Sequence, residues 1–429
     1  MNKFTFRRGV HPPDRKSRSE GEAVRAMPAP GIVKVPLSQH IGAPCEPVVR
    51  EGETVRKGQL IGHTEKGLSA RVFSPVFGRV TGTEVIQTPS GGRVPHLVIE
   101  NGGEGEEFRL PPLSDPGPLE IVERVREAGI VGMGGAAFPT HAKLTPPKDK
   151  PIDTLIVNGA ECEPYITCDA RLMEERAAEV FEGGLLLQRA VRAERLVFGV
   201  EENKPEAVRL LREAGAEVAV LKTKYPQGAE KQLIYALTGR KVPAGGLPMD
   251  VGAVVDNVHT AWSVFRAVRE GKTCYERVMT VSGGAVSAPS NLLVPTGVSF
   301  AEVLEFCGGL KAEALKVISG GPMMGFAQFN LAARTSKATG ALLFLTAEEL
   351  NTDKAGPCIN CARCARACPM RLMPMYIDGF TLAGDLPGAK RYGALHCIEC
   401  GCCAYSCPAK RPLVQSIRLA KKLIKARNI

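Results

Sequence analysis

Long hydrophobic runs are missing from this 429-residue sequence. No segment approaches the 18 or more apolar residues of a membrane-spanning helix; the longest candidates are short stretches such as 341–345. The N-terminus carries charge but reaches His11-Pro-Pro13 without the apolar region of a secretory signal peptide. Low-complexity tracts are also absent. We therefore expect a cytoplasmic protein that does not span a bilayer.

Cysteine, by contrast, is abundant, and two copies of one pattern account for eight of the fourteen. The copies read Cys358-x2-Cys361-x2-Cys364-x3-Cys368-Pro369 and Cys397-x2-Cys400-x2-Cys403-x3-Cys407-Pro408. In bacterial two-cluster ferredoxins the fourth cysteine of each such run ligates the other cluster. One [4Fe–4S] cluster is then predicted to take Cys358, Cys361, Cys364 and Cys407, and the other Cys397, Cys400, Cys403 and Cys368. Zinc is the alternative for paired CxxC motifs, but two identical four-cysteine runs ending in Cys-Pro favour clusters.

The other cysteines have no ligand spacing. Cys402 adjoins the predicted ligand Cys403, and the remaining five are predicted to be buried small hydrophobes: Cys45, Cys162, Cys168, Cys274 and Cys307. Disulfides are not expected in a chain that needs reduced thiolates. Because each oxidised cluster with its thiolates carries about −2, the formal charge of +10 falls to about +6. This charge mildly favours acidic partners or an anionic surface, and no nucleic-acid partner is predicted.

Composition and patterning predict a multidomain protein of α/β plus β class. Short β-rich runs punctuated by glycine indicate an all-β domain, alternating helical and strand patterns an α/β domain, and β-branched runs around one helix a β-grasp-like module. The predicted segments are an N-terminal arm (1–30), the all-β domain (31–113), the α/β domain (114–276), the β-grasp module (277–346) and an α-helical two-cluster domain (347–429).

The all-β segment resembles the lipoyl or biotinyl barrel-sandwich family through Glu51-Gly-x-x-Val-x-x-Gly-x-x-Leu and Ser74-Pro-Val-x-Gly-x-Val. Carrier domains of that family modify a lysine at the tip of a central hairpin, and Lys66 lies near that place. The alternative for Lys66 is an ordinary solvated charge.

A glycine-rich loop, Gly132-Met-Gly-Gly-Ala-Ala-Phe-Pro-Thr140, contains a G-x-G-x-x-A pattern. A Rossmann loop follows a strand and opens a helix, whereas this loop follows the predicted helix 119–128 and runs into Pro139 and Pro146-Pro147, which would disrupt a helix. Glycines at this density still let the backbone approach a ligand and offer free N–H groups to phosphate. We therefore predict a flavin or nucleotide site on a different architecture.

Four motifs resemble, in order, those of the NADH-binding flavoprotein subunit of respiratory complex I: residues 132–143, Asn158-Gly-Ala-Glu-Cys-Glu-Pro164, Tyr225-Pro-Gln-Gly-Ala-Glu230 and Asp256-Asn-Val-His-Thr260. The resemblance implies FMN held by Gly132, Gly134, Gly135, Lys143, Asn158, Glu161, Tyr225 and Asn257. It also implies that Phe138, Glu163 and Glu230 meet the nicotinamide nucleotide, NAD(H). Ala160 and Ala229 depart from that family's acidic residues.

The order of the segments resembles the RnfC family, a component of the Rnf ion-translocating electron transport complex, along essentially the whole chain. The resemblance implies a peripheral protein on the cytoplasmic side of the cell membrane. It would exchange hydride between NAD(H) and FMN and pass single electrons through two clusters. Its partners would be the complex's other subunits, including an iron–sulfur subunit, and indirectly ferredoxin. The alternatives are a flavin-dependent cobalamin reductase and a non-catalytic electron relay.

The basic C-terminal segment 418–427 has Leu419, Leu423 and Ile424 at helical spacing. Either a terminal helix packs on the cluster domain, or a cationic amphipathic helix lies on an anionic membrane surface.

Overall fold

The computed structural model describes residues 3–428. The N-terminal arm packs against other modules of the protein. Phe4 forms a parallel bridge with Leu221, and Val10 an antiparallel one with Tyr225. A short 3-10 helix, Lys16–Arg18, follows, and β1 (Val24–Ala26) joins the sheet of the β-grasp module. The arm thus contacts more than one of the modules that follow it.

The all-β module is a barrel-sandwich of two antiparallel sheets, as predicted. Their strand orders are β2-β8-β7-β4 and β3-β5-β6, and buried side chains such as Val33, Ile61 and Ile99 fill the space between them. Lys66 lies in the connection between β5 and β6, with its exposed ammonium 2.9 Å from Glu46. The strands are β2 (Ile32–Pro36), β3 (Glu46–Pro47), β4 (Thr54–Val55), β5 (Leu60–His63), β6 (Val72–Phe73), β7 (Gly78–Gln87) and β8 (Arg93–Asn101).

The α/β module has a four-stranded parallel sheet in the order β11-β10-β9-β12. Alternate side chains along each strand point to opposite faces, so Ile156 packs towards one helical layer and Val157 towards the other. The strands are β9 (Thr154–Gly159), β10 (Arg195–Glu201), β11 (Val218–Leu221) and β12 (Ala253–Asn257). The helices are α1 (Pro118–Glu127), α2 (Thr140–Lys143), α3 (Cys168–Glu175), α4 (Ala177–Val191), α5 (Pro205–Glu213), α6 (Glu230–Thr238) and α7 (Val258–Arg269).

The β-grasp module carries a six-stranded sheet in the order β1-β14-β13-β17-β15-β16. One helix, α8 (Phe300–Phe306), packs on it through Phe300 and Val303, and Ser299 caps the helix by accepting from the Glu302 N–H. The strands are β13 (Glu276–Ser282), β14 (Ser290–Pro295), β15 (Lys316–Ser319), β16 (Phe326–Gln328) and β17 (Ala341–Leu345). Strand β16 lies at one edge of this sheet.

The cysteine module is helical, as predicted. The basic C-terminal segment is part of α13, whose Ile417, Ala420 and Ile424 pack against Ile377 and Leu386 of the same module. Leu419 of the predicted apolar stripe is exposed. The helices are α9 (Arg363–Ala367), α10 (Pro374–Leu382), α11 (Leu386–Arg391), α12 (Cys402–Tyr405) and α13 (Leu413–Ala426). Between residues 3 and 428 no helix is long and apolar enough to cross a membrane.

Candidate functional site

The glycine-rich loop is closed at its base and open at its tip. The Gly132 N–H donates to the Phe138 carbonyl at 2.8 Å, and the Met133 N–H donates to the Thr260 hydroxyl. Residues 134–136 remain exposed. Gly135 has φ +126°, a left-handed value that favours glycine, and a Cβ on Gly134 would lie 3.4 Å from Asn257. The tip therefore presents bare backbone towards the Asn257 side of the sheet.

One expectation about this loop is wrong. The prolines predict that no helix follows the loop, yet α2 begins directly after Pro139. Proline is tolerated where a helix starts, because the N–H groups of the first turn have no intrahelical acceptor. Pro146 and Pro147 come soon after its last residue, and α2 is limited to four residues.

Two asparagines mark the carboxyl ends of neighbouring strands. Asn158 of β9 and Asn257 of β12 are directly paired in register. The Asn158 amide donates to the Gly228 carbonyl at 2.8 Å, while the Asn257 oxygen caps α7 by accepting from the His259 N–H. In chain order the strands are arranged 3-2-1-4, so the two asparagines flank the point where the strand order reverses. Open α/β sheets bind ligands at this position, the topological switch point of the sheet.

Lys143 and Glu230 come together on the open side of this edge. The Lys143 ammonium donates to the Val255 carbonyl at 2.8 Å and lies 3.6 Å from Glu230 and 3.7 Å from Asp256. Burial opposes the ammonium charge, but Asp256 and Glu230 hold the pKa of Lys143 above its ordinary value. Burial raises the pKa of Asp256 to about 6. Phe138 is partly exposed at the base of the glycine loop.

The Glu161 side chain, unlike that of Glu230, points into the protein interior. With φ +45°, its side chain accepts from the Asp169 N–H at 2.7 Å at the start of α3. Asp169 in turn accepts from the Asn257 amide at 2.6 Å. Burial, reinforced by Glu161, raises the pKa of Asp169 to about 7. One Glu161 oxygen, Oε2, is buried without a hydrogen bond in the described chain, and the Lys16 ammonium lies 3.7 Å from it.

Two buried lysines that sequence reasoning missed hold the 158–166 loop. Lys16 of the N-terminal arm donates to the carbonyls of Glu161 (3.0 Å), Glu163 (3.1 Å) and Ile166, and lies 3.7 Å from the Glu161 carboxylate. Lys204 donates to the Ala160 carbonyl at 2.7 Å. Lys16 sits in a polar run where a lysine is ordinarily solvated, and no local spacing marks either residue.

Glu163 and Tyr225 lie on the side that faces the cysteine module. The Tyr225 hydroxyl donates to Glu163 at 3.4 Å, and the Met323 N–H donates to the other Glu163 oxygen at 3.1 Å. Burial raises the pKa of Glu163 to about 7. Tyr225 is 1% exposed and packs with Cys400, Cys402 and the partly buried Cys162. Glu163 is therefore held against residues 321–323 of the 319–325 loop, and no hydrogen bond within the described residues joins it to Phe138 or Glu230.

The two cysteine runs adopt the same backbone course. Left-handed residues recur at equivalent positions, Asn360 with Glu399, Ala362 with Gly401, and Arg371 with Lys410. Cys358, Cys361, Cys364 and Cys407 line one small cavity. In the other set, burial raises the pKa of the Cys403 thiol, and the nearby Cys397, Cys400 and Cys368 raise it further. Crossed ligand sets require this proximity, and the assignment of each cysteine to a cluster stays a prediction.

The two predicted sets of cysteine ligands have different surroundings. Cys358 is exposed, whereas Cys400 packs beside Tyr225. Backbone N–H groups of Leu372 and Glu399 donate to the sulfurs of Cys368 (3.4 Å) and Cys397 (3.3 Å). Such bonds stabilise thiolates and tune cluster potentials. Cys402 is fully buried, and four of the other five non-ligand cysteines are buried as well: Cys45, Cys168, Cys274 and Cys307.

Each module matches a known domain family. The chain is similar to the RnfC barrel sandwich hybrid domain over residues 4–104, the Nuo51 FMN-binding domain over 125–266, the SLBB domain over 278–327 and the 4Fe-4S dicluster domain over 351–408. The switch-point residues fall within the FMN-binding match, and the eight paired cysteines fall within the dicluster match. FMN and two [4Fe–4S] clusters are therefore the cofactors of these modules.

Two curated relatives match this chain over nearly its whole length. The C subunit of the proton-translocating ferredoxin:NAD(+) oxidoreductase complex of Clostridium ljungdahlii is 46% identical, covering 97% of this chain and 93% of the relative. The C subunit of the Na(+)-translocating complex of Acetobacterium woodii is 43% identical over 98% and 97%. A solved NAD+-reducing [NiFe]-hydrogenase is 20% identical with a TM-score of 0.51, covering 72% of this chain and 61% of that chain, and shows the fold alone. These full-length matches favour neither a cobalamin reductase nor an isolated relay.

Proposed function

Because the chain belongs to the RnfC family, the C subunits of ion-translocating ferredoxin:NAD(+) oxidoreductase complexes, we propose that it is the NAD(H)-reacting subunit of such a complex. It exchanges hydride between NAD(H) and FMN and transfers electrons singly between FMN and partner subunits through two [4Fe–4S] clusters. The observation that carries this proposal is the packing of Tyr225, from the flavin motifs, against Cys400 of the cluster module.

The residues at the switch point fit FMN. Gly134 and Gly135 offer backbone N–H groups, and Gly132, whose own N–H is bonded to Phe138, closes the base of the loop. Lys143 offers a cation, and Asn158 and Asn257 offer amides at one sheet edge. Glu161 contributes a buried oxygen that accepts no hydrogen bond in the described chain, and Tyr225 closes the side towards the clusters. Lys204 donates to the Ala160 carbonyl, so this backbone is held although Ala160 has no acidic side chain.

We assign Phe138, Glu230 and Glu163 to NAD(H). Phe138 and Glu230 border the open side, where an aromatic face and a carboxylate can stack with and hydrogen-bond to a nucleotide. Glu163 lies beneath the 319–325 loop, where its carboxylate accepts from the Met323 N–H. With its pKa raised to about 7, it can hold or release a proton at neutral pH.

FMN supplies the conversion between two-electron and one-electron chemistry, which neither nicotinamide nor an iron–sulfur cluster can perform alone. The residues of this chain position the groups and exclude water. Cys397, Cys400, Cys403 and Cys368, of which Cys400 packs with Tyr225, would hold one cluster. Cys358, Cys361, Cys364 and Cys407, of which Cys358 is exposed, would hold the other.

Attachment to the membrane is through other subunits, on the cytoplasmic side. Support comes from the whole-length relatives, which are named as subunits of ion-translocating complexes. The eight ligand cysteines must stay reduced, which suits a cytoplasmic location. Ion translocation and oxidation of ferredoxin are then properties of the assembled complex.

The test is an anaerobic titration of the reconstituted protein with NADH, followed by visible absorption and EPR after iron and flavin have been quantified. We expect about eight iron atoms and one FMN per chain, with flavin bleaching and cluster reduction. Eight iron atoms without flavin or any NADH response, even after FMN is supplied, would mean that the chain is a relay or scaffold.

A further inference from the structure

An exposed aromatic patch lies on the cluster module of a chain that is only 5% aromatic. The patch comprises Tyr376, Phe380 and Tyr392. The Tyr376 and Tyr392 rings meet edge-on at 5.2 Å, and the Phe380 and Tyr392 rings lie 5.3 Å apart. Tyr376 is 45% exposed and Tyr392 37%. Neither hydroxyl has a hydrogen-bond partner within the described residues, so the patch is not explained as part of a polar network.

Helix α10, which carries Tyr376 and Phe380 of the patch, follows directly on a segment that contacts both cysteine sets. The Leu372 N–H donates to the Cys368 sulfur at 3.4 Å, and the Cys364 thiol lies 3.7 Å from the Met375 sulfur. Tyr376 follows Met375 directly. Because Cys364 and Cys368 belong to different predicted ligand sets, the segment 372–375 that leads into α10 touches both. A protein seated on the patch would therefore lie beside both clusters.

The surroundings of the patch are basic. Residues 351–429 contain thirteen lysines and arginines against four acidic residues, a formal +9 of the chain's +10. Two of the acids are neutralised within the module: Asp378 pairs with Arg411, and Glu399 with Arg418 and Lys421. By contrast, Arg371, Lys390 and Arg391 form no ion pair with any described carboxylate, and the Arg391 guanidinium lies 6.0 Å over Phe380. Even after about −2 for each cluster, the module retains positive charge.

We propose that the aromatic patch and its basic rim, Lys390 and Arg391, form the docking site for an acidic redox subunit of the same complex. This inference rests on the proposed function. Exposed aromatic and arginine side chains are enriched at protein interfaces, and complementary charge steers association. The occupant is a protein rather than a lipid surface because electrons leaving the clusters need an acceptor, which a bilayer does not provide.

A second apolar surface provides the matched control. Phe329 of the β-grasp module is 78% exposed, next to the edge strand β16. It is more exposed than either tyrosine of the aromatic patch, so exposure alone would favour it as a docking site. The surplus positive charge, however, lies on the cluster module.

The experiment compares Lys390→Glu/Arg391→Glu, Tyr376→Ala/Tyr392→Ala and Phe329→Ala, with iron content confirming that the clusters are assembled. Each chain is assayed alone for NADH-dependent ferricyanide reduction, and within the membrane-bound complex for NAD+ reduction by reduced ferredoxin. We expect both patch variants to lower the rate of the complex at least tenfold and to leave the ferricyanide rate unchanged. The charge reversal should also weaken the salt dependence of the complex's rate. Phe329→Ala should change neither rate.

Full activity of the complex with both patch variants would overturn the proposal, as would loss of activity with Phe329→Ala alone. Binding of the isolated chain to vesicles of anionic phospholipid that both patch variants abolish, with the complex still active, would reassign the surface to lipid. A wild-type chain with no ferricyanide rate would refute the proposed function instead, so the two failures can be told apart.

Discussion

Replacing Lys16 by methionine should weaken FMN binding although this residue lies far from the flavin motifs in sequence. Its ammonium holds three carbonyls of the 161–166 segment and lies 3.7 Å from the Glu161 carboxylate. Both side chains are almost fully buried, at 6% and 2% exposed. Methionine fills a similar volume but donates no hydrogen bond, so the carbonyls and Glu161 lose their cation.

The magnitude follows from this burial. Removing one partner of a buried ion pair costs about 3–5 kcal/mol, because the remaining charge and acceptors are left uncompensated. The loop can relax, and part of the cost falls on the stability of the arm. We take about half of this cost to fall on the conformation that binds FMN. The free energy of FMN binding then weakens by about 2 kcal/mol, which is roughly a 30-fold loss of affinity at about 1.4 kcal/mol per tenfold.

The assay is FMN titration of the flavin-free protein, followed by flavin fluorescence, with iron content as a check on the fold. Lys3→Met is the matched control, because Lys3 is an arm lysine whose partner, Glu202, lies at the surface and whose side chain is 46% exposed. It should bind FMN normally. If Lys16→Met bound FMN as tightly as wild type with all iron retained, the arm would have no part in forming the flavin site.

Three further predictions test other parts of the structure. Glu163→Gln should stabilise the protein more at pH 8 than at pH 5 by about 1–3 kcal/mol, measured by urea unfolding: burial raises the pKa of Glu163 to about 7, so the folded state is penalised as pH rises from about 4.5 to 7. A variant with equal effects at both pH values would contradict this burial. Cys368→Ser should damage the cluster held by the second cysteine run, and selective loss of the EPR signal of the first would show that the ligand sets do not cross. Gly183→Ala should lower the melting temperature by several degrees, because its Cβ would lie 1.9 Å from the Ala261 carbonyl oxygen where α4 meets α7; an unchanged melting temperature would mean that the helices can separate freely.

The sequence predicted those features that depend on local spacing. The two cysteine runs carry left-handed turns at the same offsets, and their spacing alone predicted two [4Fe–4S] clusters, whereas the assignment of each cysteine to a cluster stays a prediction. Helix α1 and strands β9 and β10 followed from apolar periodicity. The four-residue helix α2 did not, because a proline at a helix start resembles a helix breaker in the sequence.

Contacts between segments that are distant in sequence cannot be recognised from local spacing. Ile41 of the barrel-sandwich donates its N–H to the Ala137 carbonyl of the glycine loop, and the buried Lys337 donates to the carbonyls of Arg71 and Gly129. These bonds join three modules around the flavin site. Each uses a backbone carbonyl, which every residue has, so side-chain identity could not reveal the acceptor.

The sequence by itself determined the cluster chemistry and a flavin or nucleotide site, because thiolate spacing and bare glycine backbone are requirements that a few neighbouring residues meet alone. FMN in particular followed from the resemblance of four motifs to a known flavoprotein family. Only the tertiary structure decided how the site is assembled. It brought Asn158 and Asn257 together where the strand order reverses, turned Glu163 beneath the loop at Met323, and buried Lys16 against Glu161. A lysine in a polar run becomes a structural cation only when a distant loop supplies its acceptors, and that pairing is a property of the fold.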